Sequence, residues 1–257
     1  MKRSRILMAM AYAALAHNGH TEDIPHTNAS PILVELFTSE GCSSCPPVDA
    51  FLQQIDASQP IPGAQVIVLS EHVDYWDHDG WKDPYSQHLW TERQSTYARA
   101  LGISQVYTPQ IVVDGAAELR ANAAHQILQQ AAAAPKIHVR IGPVSIDSKK
   151  SPMLQTHIET DATTEKRGAD IYVAVALDHA ESDVLHGENG GRRLKHVAVV
   201  QSITRIGKIE KGKSFSRDFQ EKLSPSVDPG NLRIVAFVQE AGPGRVLGAA
   251  MQKYSPQ

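Results

Sequence analysis

Between residues 32 and 47 the chain reads ILVELFTSEGCSSCPP. The first six of these residues form a short, mostly apolar run, which is typical of a strand buried on both faces of a sheet. After the cysteines, apolar residues recur at the spacing of one helix face: Val48, Phe51, Leu52 and Ile55. A second apolar run follows at Gln65–Ser70. Strand, helix and strand in this order predict a βαβ unit, with Cys42 and Cys45 between its first strand and its helix.

A polar and aromatic loop occupies residues 71–83 and precedes a second predicted helix. Asp83 and Pro84 have the character of an N-cap and a first helical residue. We therefore expect a helix from this point to about Leu101, with Gly102 as its stop signal.

The remainder of the first half predicts a third strand and a closing helix. Gln110–Val113 is the strand, and Asp114-Gly115 is a turn that leads to a hairpin partner. The Ala- and Gln-rich segment 121–134 is helical by propensity and is halted by Pro135. Residues 31–135 are thus predicted to form an α/β domain.

Beyond Pro135 the hydrophobic period changes to two. Ile137, Val139 and Ile141 alternate with polar neighbours, as in a strand with one solvated face. Five further runs have strand character: Met153–Thr160, Ile171–Leu177, Leu194–Ile203, Leu232–Gln239 and Arg245–Met251. Because turn residues separate these runs and helical periodicity is almost absent, we predict an all-β sandwich domain at residues 136–253.

Residues 1–16 have the pattern of a secretory signal peptide. Three basic residues precede an apolar run, Ile6 to Ala16, that ends in small-x-small. The run is far shorter than the roughly 20 apolar residues that a spanning helix needs. We expect cleavage after Ala16, a polar linker at 17–30, and an exported product that is periplasmic or secreted.

Charge and cysteine content exclude several classes of protein. With 25 Lys+Arg against 28 Asp+Glu, the formal net charge is −3, and no lysine-rich tract is present. The sequence therefore has no electrostatic footprint of a nucleic-acid partner. No later segment is apolar for long enough to span a bilayer. The two cysteines are too few for a disulfide-dense scaffold or a four-cysteine metal site.

The Cys42-x-x-Cys45 pair has the placement that thiol–disulfide chemistry requires. Backbone N–H groups at a helix N-terminus stabilise a thiolate and lower its pKa. We expect Cys42 to be the exposed attacking thiol and Cys45 the resolving thiol. Two alternatives remain for the pair, namely an inert structural disulfide and a copper site with His72 as third ligand.

His72 and Asp74 follow the second predicted strand. The carboxyl end of that strand should share one edge of the sheet with the cysteines. His72 could then accept a proton from Cys45 or ligate a metal beside Cys42. The alternative is that His72 and Asp74 only cap the loop through backbone hydrogen bonds, as short Asp-rich loops commonly do.

Two further segments invite a functional interpretation. Trp76, Trp81 and Trp90 could form an apolar floor for an extended peptide, or they could pack against the second half of the chain. The Gly-rich segment His186–Arg193 is not followed by a helix, so phosphate binding is excluded. We interpret this segment as a loop between strands that packs on the first half.

These segments resemble a known family. LFTSEGCSSCPP at 36–47, HVDYW at 72–76, GWKDP at 80–84, TPQ at 108–110 and GENGGR at 187–192 are similar to a bacterial family of predicted secreted, thioredoxin-like proteins labelled as a domain of unknown function. The resemblance covers nearly the whole mature chain. It implies a thioredoxin-like fold for the first domain, with no established substrate or reaction.

The resemblance also implies a role for Thr108 and Pro109. Thioredoxin-like folds place a cis proline directly before the third strand, facing the cysteines, and only about 5–6% of X–Pro bonds are otherwise cis. The backbone of Thr108 would then bind an extended substrate segment. Pro46 and Pro47 depart from the wider thioredoxin pattern and predict that the regular helix begins only near Pro47.

The sequence therefore predicts an exported thiol–disulfide oxidoreductase-like protein that acts on protein or peptide thiols and disulfides. Its reactive group would be the Cys42–Cys45 disulfide, without another cofactor, and Thr108 and Pro109 would bind the substrate. The alternative is a non-catalytic binding protein, either a copper carrier through Cys42, Cys45 and His72 or an interaction module that uses the sandwich.

Overall fold

The computed structural model describes residues 29–147, 152–165, 167–242 and 244–255. The predicted signal peptide and nearly all of the predicted linker lie outside these residues. The described chain has a mixed α/β fold with one large sheet. None of the helices in the described ranges is both long and apolar enough to cross a membrane.

The first half contains three α-helices and four strands. In chain order they are β1 (Ser30–Thr38), α1 (Pro46–Ser58), β2 (Ala64–His72), α2 (His88–Leu101), β3 (Gln110–Val113), β4 (Ala117–Glu118) and α3 (Ala124–Ala133). The described part of the second half contains strands and one short 3-10 turn, Pro229–Asn231. Its strands are β5 (Val139–Ile141), β6 (Ser145–Asp147), β7 (Met153–Thr160), β8 (Ala169–Val184), β9 (Arg192–Ile209), β10 (Phe215–Lys222), β11 (Leu232–Glu240) and β12 (Val246–Lys253).

The predicted strand–helix–strand unit is present. β1 and β2 are parallel, with Ser30 opposite Ala64 at one end and Thr38 opposite His72 at the other. β3 runs antiparallel to β1 and continues through a tight turn into β4. Asp114 in this turn has a φ of 47°, a left-handed conformation that aspartate tolerates better than most residues and that type I′ turns require.

A single eight-stranded sheet runs through both halves of the chain. Its strand order is β12-β11-β8-β9-β2-β1-β3-β4. The halves meet where β9 lies parallel to β2, with Val199 opposite Ser70, and the Ser70 hydroxyl donates to the carbonyl of Val197 at 2.7 Å. The boundary expected near Pro135 is therefore not a break in the sheet, and the division into two domains stays a prediction.

A buried guanidinium also joins the two halves. Arg233 on β11 is fully buried and donates to both carboxylate oxygens of Asp56 on α1 at 3.0 Å. It also donates to Asp178 on β8. Breaking one partner of such a buried ion pair is strongly destabilising, because a charge is left without compensation.

Both faces of the large sheet are covered. Ile32 and Val34 of β1 pack on the side of α1 and α3, whereas Leu33 and Phe37 pack on the side of α2. A second sheet, of order β10-β7-β5 with β6 paired to β7, packs against strands β8, β11 and β12. The alternation of side chains along each strand thus separates the cores on the two faces of the sheet.

Two local features differ from the sequence analysis, and a third agrees with it. Helix α2 begins at His88, not near Pro84, because the Asp83 carboxylate accepts hydrogen bonds from the backbone of Glu40 and of Tyr85 and does not cap a helix. The strand β10 was missed because its sequence, FSRDFQEK, is mostly polar. Helix α1 begins at Pro46, within one residue of its predicted start, and Cys45 before it has helical angles (φ −74°, ψ −44°) even though a proline follows it.

Candidate functional site at the Cys42–Cys45 disulfide

Cys42 and Cys45 form a disulfide between the end of β1 and the start of α1. Their Cα atoms are 5.4 Å apart. We call residues 42–45 the cysteine turn. The carbonyl of Cys45 accepts hydrogen bonds from the N–H groups of Val48 and Asp49, so helix α1 is continuous with this turn. The expected exposure of Cys42 is wrong for this oxidised form, since the residue is only 1% exposed.

Trp76 connects the cysteine turn to Thr108 and Pro109. A Cβ added to Gly41 would lie only 3.1 Å from the Cβ of Trp76, so the indole-bearing residue packs directly against this turn. Its indole nitrogen donates to the Thr108 hydroxyl at 2.7 Å. The Thr108–Pro109 peptide bond is cis, the isomer that the resemblance implied. Trp76 therefore links the segment before β3 to the disulfide.

The loop between β8 and β9, residues 185–191, packs on the opposite half of the chain at the cysteine turn. The Glu188 carboxylate accepts from the N–H of Ser43 at 2.9 Å. The buried side-chain amide of Asn189 donates to the carbonyls of Glu40 and Cys42, at 2.8 and 3.0 Å. The expected packing of the Gly-rich segment on the first half is thus present, and it falls on the cysteines themselves.

Gly187 allows the β8–β9 loop to lie close to the loop that follows β2. Its φ is +75°, a conformation that favours glycine, and an added Cβ would meet the carbonyl oxygen of Asp79 at 3.0 Å. A side chain at position 187 would therefore strain the backbone and push the β8–β9 loop away from the loop that follows β2.

A group of buried ionisable side chains flanks the disulfide, and we call it the histidine–carboxylate cluster. Its members are Glu40, Asp49, His72, Asp83 and His196. Nδ1 of His72 lies 2.7 Å from the Asp83 carboxylate, and the rings of His72 and His196 meet edge to face at 4.7 Å. Nε2 of His196 lies 3.2 Å from Glu40, and Nδ1 lies 3.5 Å from Asp49.

The charges of this cluster are coupled. Burial would lower the pKa of His196, but the nearby carboxylates of Asp49 and Glu40, of which Glu40 is hydrogen-bonded to the ring, outweigh burial and raise that pKa to about 9. Burial would raise the pKa of Asp83, but the charge and hydrogen bond of His72 lower it overall. An imidazolium between two carboxylates is consequently the protonation state that the folded protein favours near neutral pH.

Of the two candidate residues after β2, His72 lies in the histidine–carboxylate cluster, whereas Asp74 lies against helix α2. Asp74 accepts from the hydroxyl of Thr91 at 2.6 Å and lies 3.0 Å from Nδ1 of His88, so it binds the first turn of α2. Nδ1 of His72 faces Asp83. Across the described residues, no three His, Cys, Asp or Glu side chains are grouped so that they could hold a metal ion, Cys42, Cys45 and His72 included.

The three tryptophans serve packing and hydrogen bonding. Trp90 is fully buried in the core on the α2 side of the sheet. Trp81 is half-buried and donates from its indole nitrogen to the Glu40 carboxylate at 2.8 Å. Of the two interpretations considered for these residues, packing against the rest of the molecule describes Trp90 and Trp81 best.

The sequence analysis assigned no individual role to five residues of this site: Glu40, Asp49, Glu188, Asn189 and His196. Glu40 and Asp49 lie within a few residues of the cysteines, so a search of the neighbouring carboxylates would have found them. Glu188 and Asn189 lie in the β8–β9 loop, and His196 lies on β9. Their partners lie between β1 and α1, far earlier in the chain. The Gly-rich segment was expected to pack on the first half, but no local pattern identified its partners there.

A second group of buried ionisable residues, the arginine–glutamate cluster, lies on the α2 side of the sheet. Arg93 donates to the Glu35 carboxylate through two nitrogens at 2.8 and 2.5 Å, and the Tyr97 hydroxyl donates to the same carboxylate at 2.6 Å. Glu71 lies 3.5 Å from Arg93. Burial raises the pKa of Glu71 well above its ordinary value, and the nearby charge of Glu35 adds to this rise.

A Ser216–His157–Asp218 arrangement lies on strands β7 and β10. The His157 ring is 2.8 Å from the Ser216 hydroxyl and 2.6 Å from the Asp218 carboxylate. However, the Asp218 side chain is 83% exposed, so water competes for its hydrogen bonds and screens its charge. We interpret this arrangement as hydrogen bonding on the surface of the second sheet.

Solved structures from two bacteria are similar to this chain. The chain is 27% identical to protein AGR_C_4864 from Agrobacterium tumefaciens, whose crystal structure superposes with a TM-score of 0.65 over 89% of this chain and 97% of that one. HBP35 of Porphyromonas gingivalis is similar in fold, with a TM-score of 0.62, 15% identity, and coverage of 88% of this chain and 75% of that one. No curated protein matches the chain.

The family is shown by a match to residues 33–239, which include the cysteine pair, the β8–β9 loop and both buried clusters. The chain belongs to the family described as protein of unknown function, DUF1223.

Proposed function

We propose that this protein is a thiol–disulfide oxidoreductase whose reactive group is the Cys42–Cys45 disulfide. The observation that carries the proposal is the position of this disulfide, in a turn between a buried parallel strand and the first turn of a helix. Helix N–H groups at such a position stabilise a thiolate, which is the species that attacks disulfides.

Two further features support a thioredoxin-like assignment of the first half. The strands β2, β1, β3 and β4 are neighbours in that order, and β3 is antiparallel to β1. A cis proline, Pro109, directly precedes β3, and Trp76 joins its neighbour Thr108 to the cysteine turn. We propose that the backbone of Thr108 binds an extended segment of a protein or peptide substrate.

The chemistry is a two-electron exchange. A substrate thiolate attacks Cys42 Sγ, the bond to Cys45 breaks, and the Cys45 thiolate leaves and takes up a proton. A second substrate thiolate then attacks the mixed disulfide, which releases Cys42 and leaves the substrate with a new disulfide. Two substrate thiols are oxidised and the cysteine pair is reduced, and the reverse sequence of steps reduces a substrate disulfide.

The test is the equilibrium of the pair with glutathione. The full chain is incubated in buffers of stepped ratios of reduced to oxidised glutathione, quenched by alkylation and analysed by mass. We expect a reversible two-electron transition, and in Cys45→Ser we expect glutathione to be trapped on Cys42. The matched variant Cys42→Ser should trap much less. A pair that stays oxidised with excess glutathione and with dithiothreitol under native conditions would leave only a structural disulfide.

Export is the second part of the proposal. The pattern of residues 1–16 supports it, because a basic start, a short apolar run and a small-x-small end are the marks of a cleaved leader. Expression of the full chain in a bacterial host, followed by N-terminal sequencing, should find a mature protein that begins at His17. Retention of residues 1–16 on all of the protein would contradict the proposal.

A further inference from the structure

The contacts of the β8–β9 loop with the cysteine turn raise a question about access. In the oxidised protein Cys42 is 1% exposed and Cys45 is fully buried. An attacking thiolate must reach a sulfur along the axis of the S–S bond, so a buried disulfide reacts slowly unless its surroundings open. The atoms that hold the turn closed are therefore candidates for control of the reaction.

Three hydrogen bonds join the loop to the turn, and all three involve backbone groups of the turn or of its neighbour. Glu188 accepts from the N–H of Ser43, which lies between the two cysteines. Asn189 donates to the carbonyls of Cys42 and of Glu40. Its amide oxygen accepts from Arg192 at 2.7 Å, so the side-chain amide is held from both ends.

We propose that Glu188 and Asn189 are positioning residues of the disulfide, and that they hold the cysteine turn in its closed, oxidised form. Reduction then requires the β8–β9 loop to release the turn. This inference rests on the proposed function, but it concerns a different property, namely how easily a thiol reaches Cys42.

Electrostatics strengthens the same effect. The Glu188 carboxylate is exposed, and its hydrogen bonds with Ser43 lower its pKa, so it carries its negative charge near neutral pH. It occupies the N–H group of Ser43, which could otherwise stabilise a Cys42 thiolate. This contact disfavours the reduced form with an ionised Cys42.

The step itself is the attack described above. A thiolate of a dithiol reductant forms a bond to Cys42 Sγ, the Cys42–Cys45 bond breaks, and Cys45 leaves as a thiolate that takes up a proton. The second thiolate of the reductant then displaces Cys42 and closes the reductant's own ring. Glu188 and Asn189 form none of these covalent bonds. They affect only the fraction of molecules in which the β8–β9 loop has released the cysteine turn.

The test compares reduction rates of four full-length proteins by dithiothreitol, followed by alkylation and mass analysis. They are the wild type, Glu188→Ala, Glu188→Gln and the control Asp183→Asn, which removes one exposed charge from β8. Glu188→Ala removes the acceptor of the Ser43 N–H, so this variant should be reduced about three- to tenfold faster than the wild type. Glu188→Gln keeps an acceptor for Ser43 and should fall between them, and Asp183→Asn should match the wild type.

The outcomes separate the inference from the proposed function. Equal rates for the wild type and Glu188→Ala would overturn the inference and leave the oxidoreductase proposal intact. Equal acceleration in Glu188→Gln and Glu188→Ala would also overturn it, since simple charge repulsion of the reductant would then account for the effect. If neither the wild type nor Glu188→Ala is reduced under native conditions, the proposed function fails.

Discussion

The histidine–carboxylate cluster and the arginine–glutamate cluster lie on opposite faces of the same sheet and use different cations. On the disulfide side the cation is an imidazolium, His196, whose pKa is raised to about 9. On the α2 side it is Arg93, which keeps its charge at every accessible pH. The comparison teaches that the cation beside the cysteines can lose its charge as the pH rises, whereas the cation on the opposite face cannot.

The largest expected effect tests the fixed side of this comparison. Arg93→Met leaves the buried carboxylate of Glu35 without its cation, and truncating one partner of a buried pair typically costs about 3–5 kcal/mol. Urea unfolding at pH 7 measures this loss of the free energy of unfolding. Arg99→Met on the exposed side of the same helix is the control and should change stability by less than about 0.5 kcal/mol. A loss below about 1 kcal/mol for Arg93→Met would show that the pair is not structural.

The next effect tests the titrating side. A pKa near 9 in the folded state, against 6.5 when unfolded, corresponds to stabilisation on the order of 3 kcal/mol. Because the folded pKa is raised, this stabilisation is complete below about pH 6.5 and is lost as the pH rises through 9. His196→Gln should therefore be much less stable than the wild type at pH 6 and closer to it at pH 9.5.

Urea unfolding across this pH range checks the prediction, with the exposed His78→Gln as control. The deficit of Arg93→Met should not shrink in this way as the pH rises to 9.5, because the Arg93 guanidinium of the wild type keeps its charge there. A constant deficit for His196→Gln as well would remove the distinction between the two clusters.

A smaller effect is expected from one hydroxyl of the arginine–glutamate cluster. Tyr97→Phe removes the hydroxyl that donates to Glu35 and accepts from Gln239. We expect the free energy of unfolding to fall by about 1–2 kcal/mol. Tyr107→Phe is the matched control, since the Tyr107 hydroxyl also binds a carboxylate, Glu118, but the residue is largely exposed. Thermal or urea unfolding of both variants should rank Tyr97→Phe clearly below Tyr107→Phe, and the reverse order would be inconsistent with a buried network.

The smallest effect concerns Glu71, whose pKa is raised by burial. The folded protein holds this proton while the unfolded chain releases it above about pH 4.5, so the wild type loses stability as the pH rises from there. Glu71→Gln cannot ionise and should be within about 1 kcal/mol of the wild type at pH 4.5. Its stability relative to the wild type should increase with pH, and a relative decrease would mean that Glu71 is stabilised as an anion.

The sequence was informative where chemistry and pattern are local. The cysteine pair, the strands beside it, the turn at Asp114 and the cis proline at 109 each rest on a few consecutive residues or on a family resemblance carried by them. Mixed α/β structure in the first half and strands in the second half followed from the same patterns. The N-terminus of α2 was misplaced because Asp83 looks like an N-cap, although its carboxylate binds the backbone before the cysteines.

The remainder of the site could not be predicted because it depends on tertiary contacts. Glu188 and Asn189 lie in a polar, Gly-rich loop, and only the pairing of β9 with β2 brings that loop to Ser43 and Cys42. His196 lies in an alternating strand and has no local sign of its carboxylate partners. The continuous sheet was missed for a similar reason, since a single register contact between Ser70 and Val199 joins the halves.

The pairing of β9 with β2 also determines how long β2 stays unpaired on one side during synthesis. A ribosome adds about 5–20 residues per second, so β2 emerges on the order of ten seconds before β9. Over this interval β2 is an edge strand with unpaired N–H and C=O groups, which other chains can pair with. The nascent chain should therefore depend on holding chaperones until the hairpin of β8 and β9 is made. The half that is made last then supplies His196, Glu188 and Asn189, so the surroundings of the cysteines are complete only after β9 has been made.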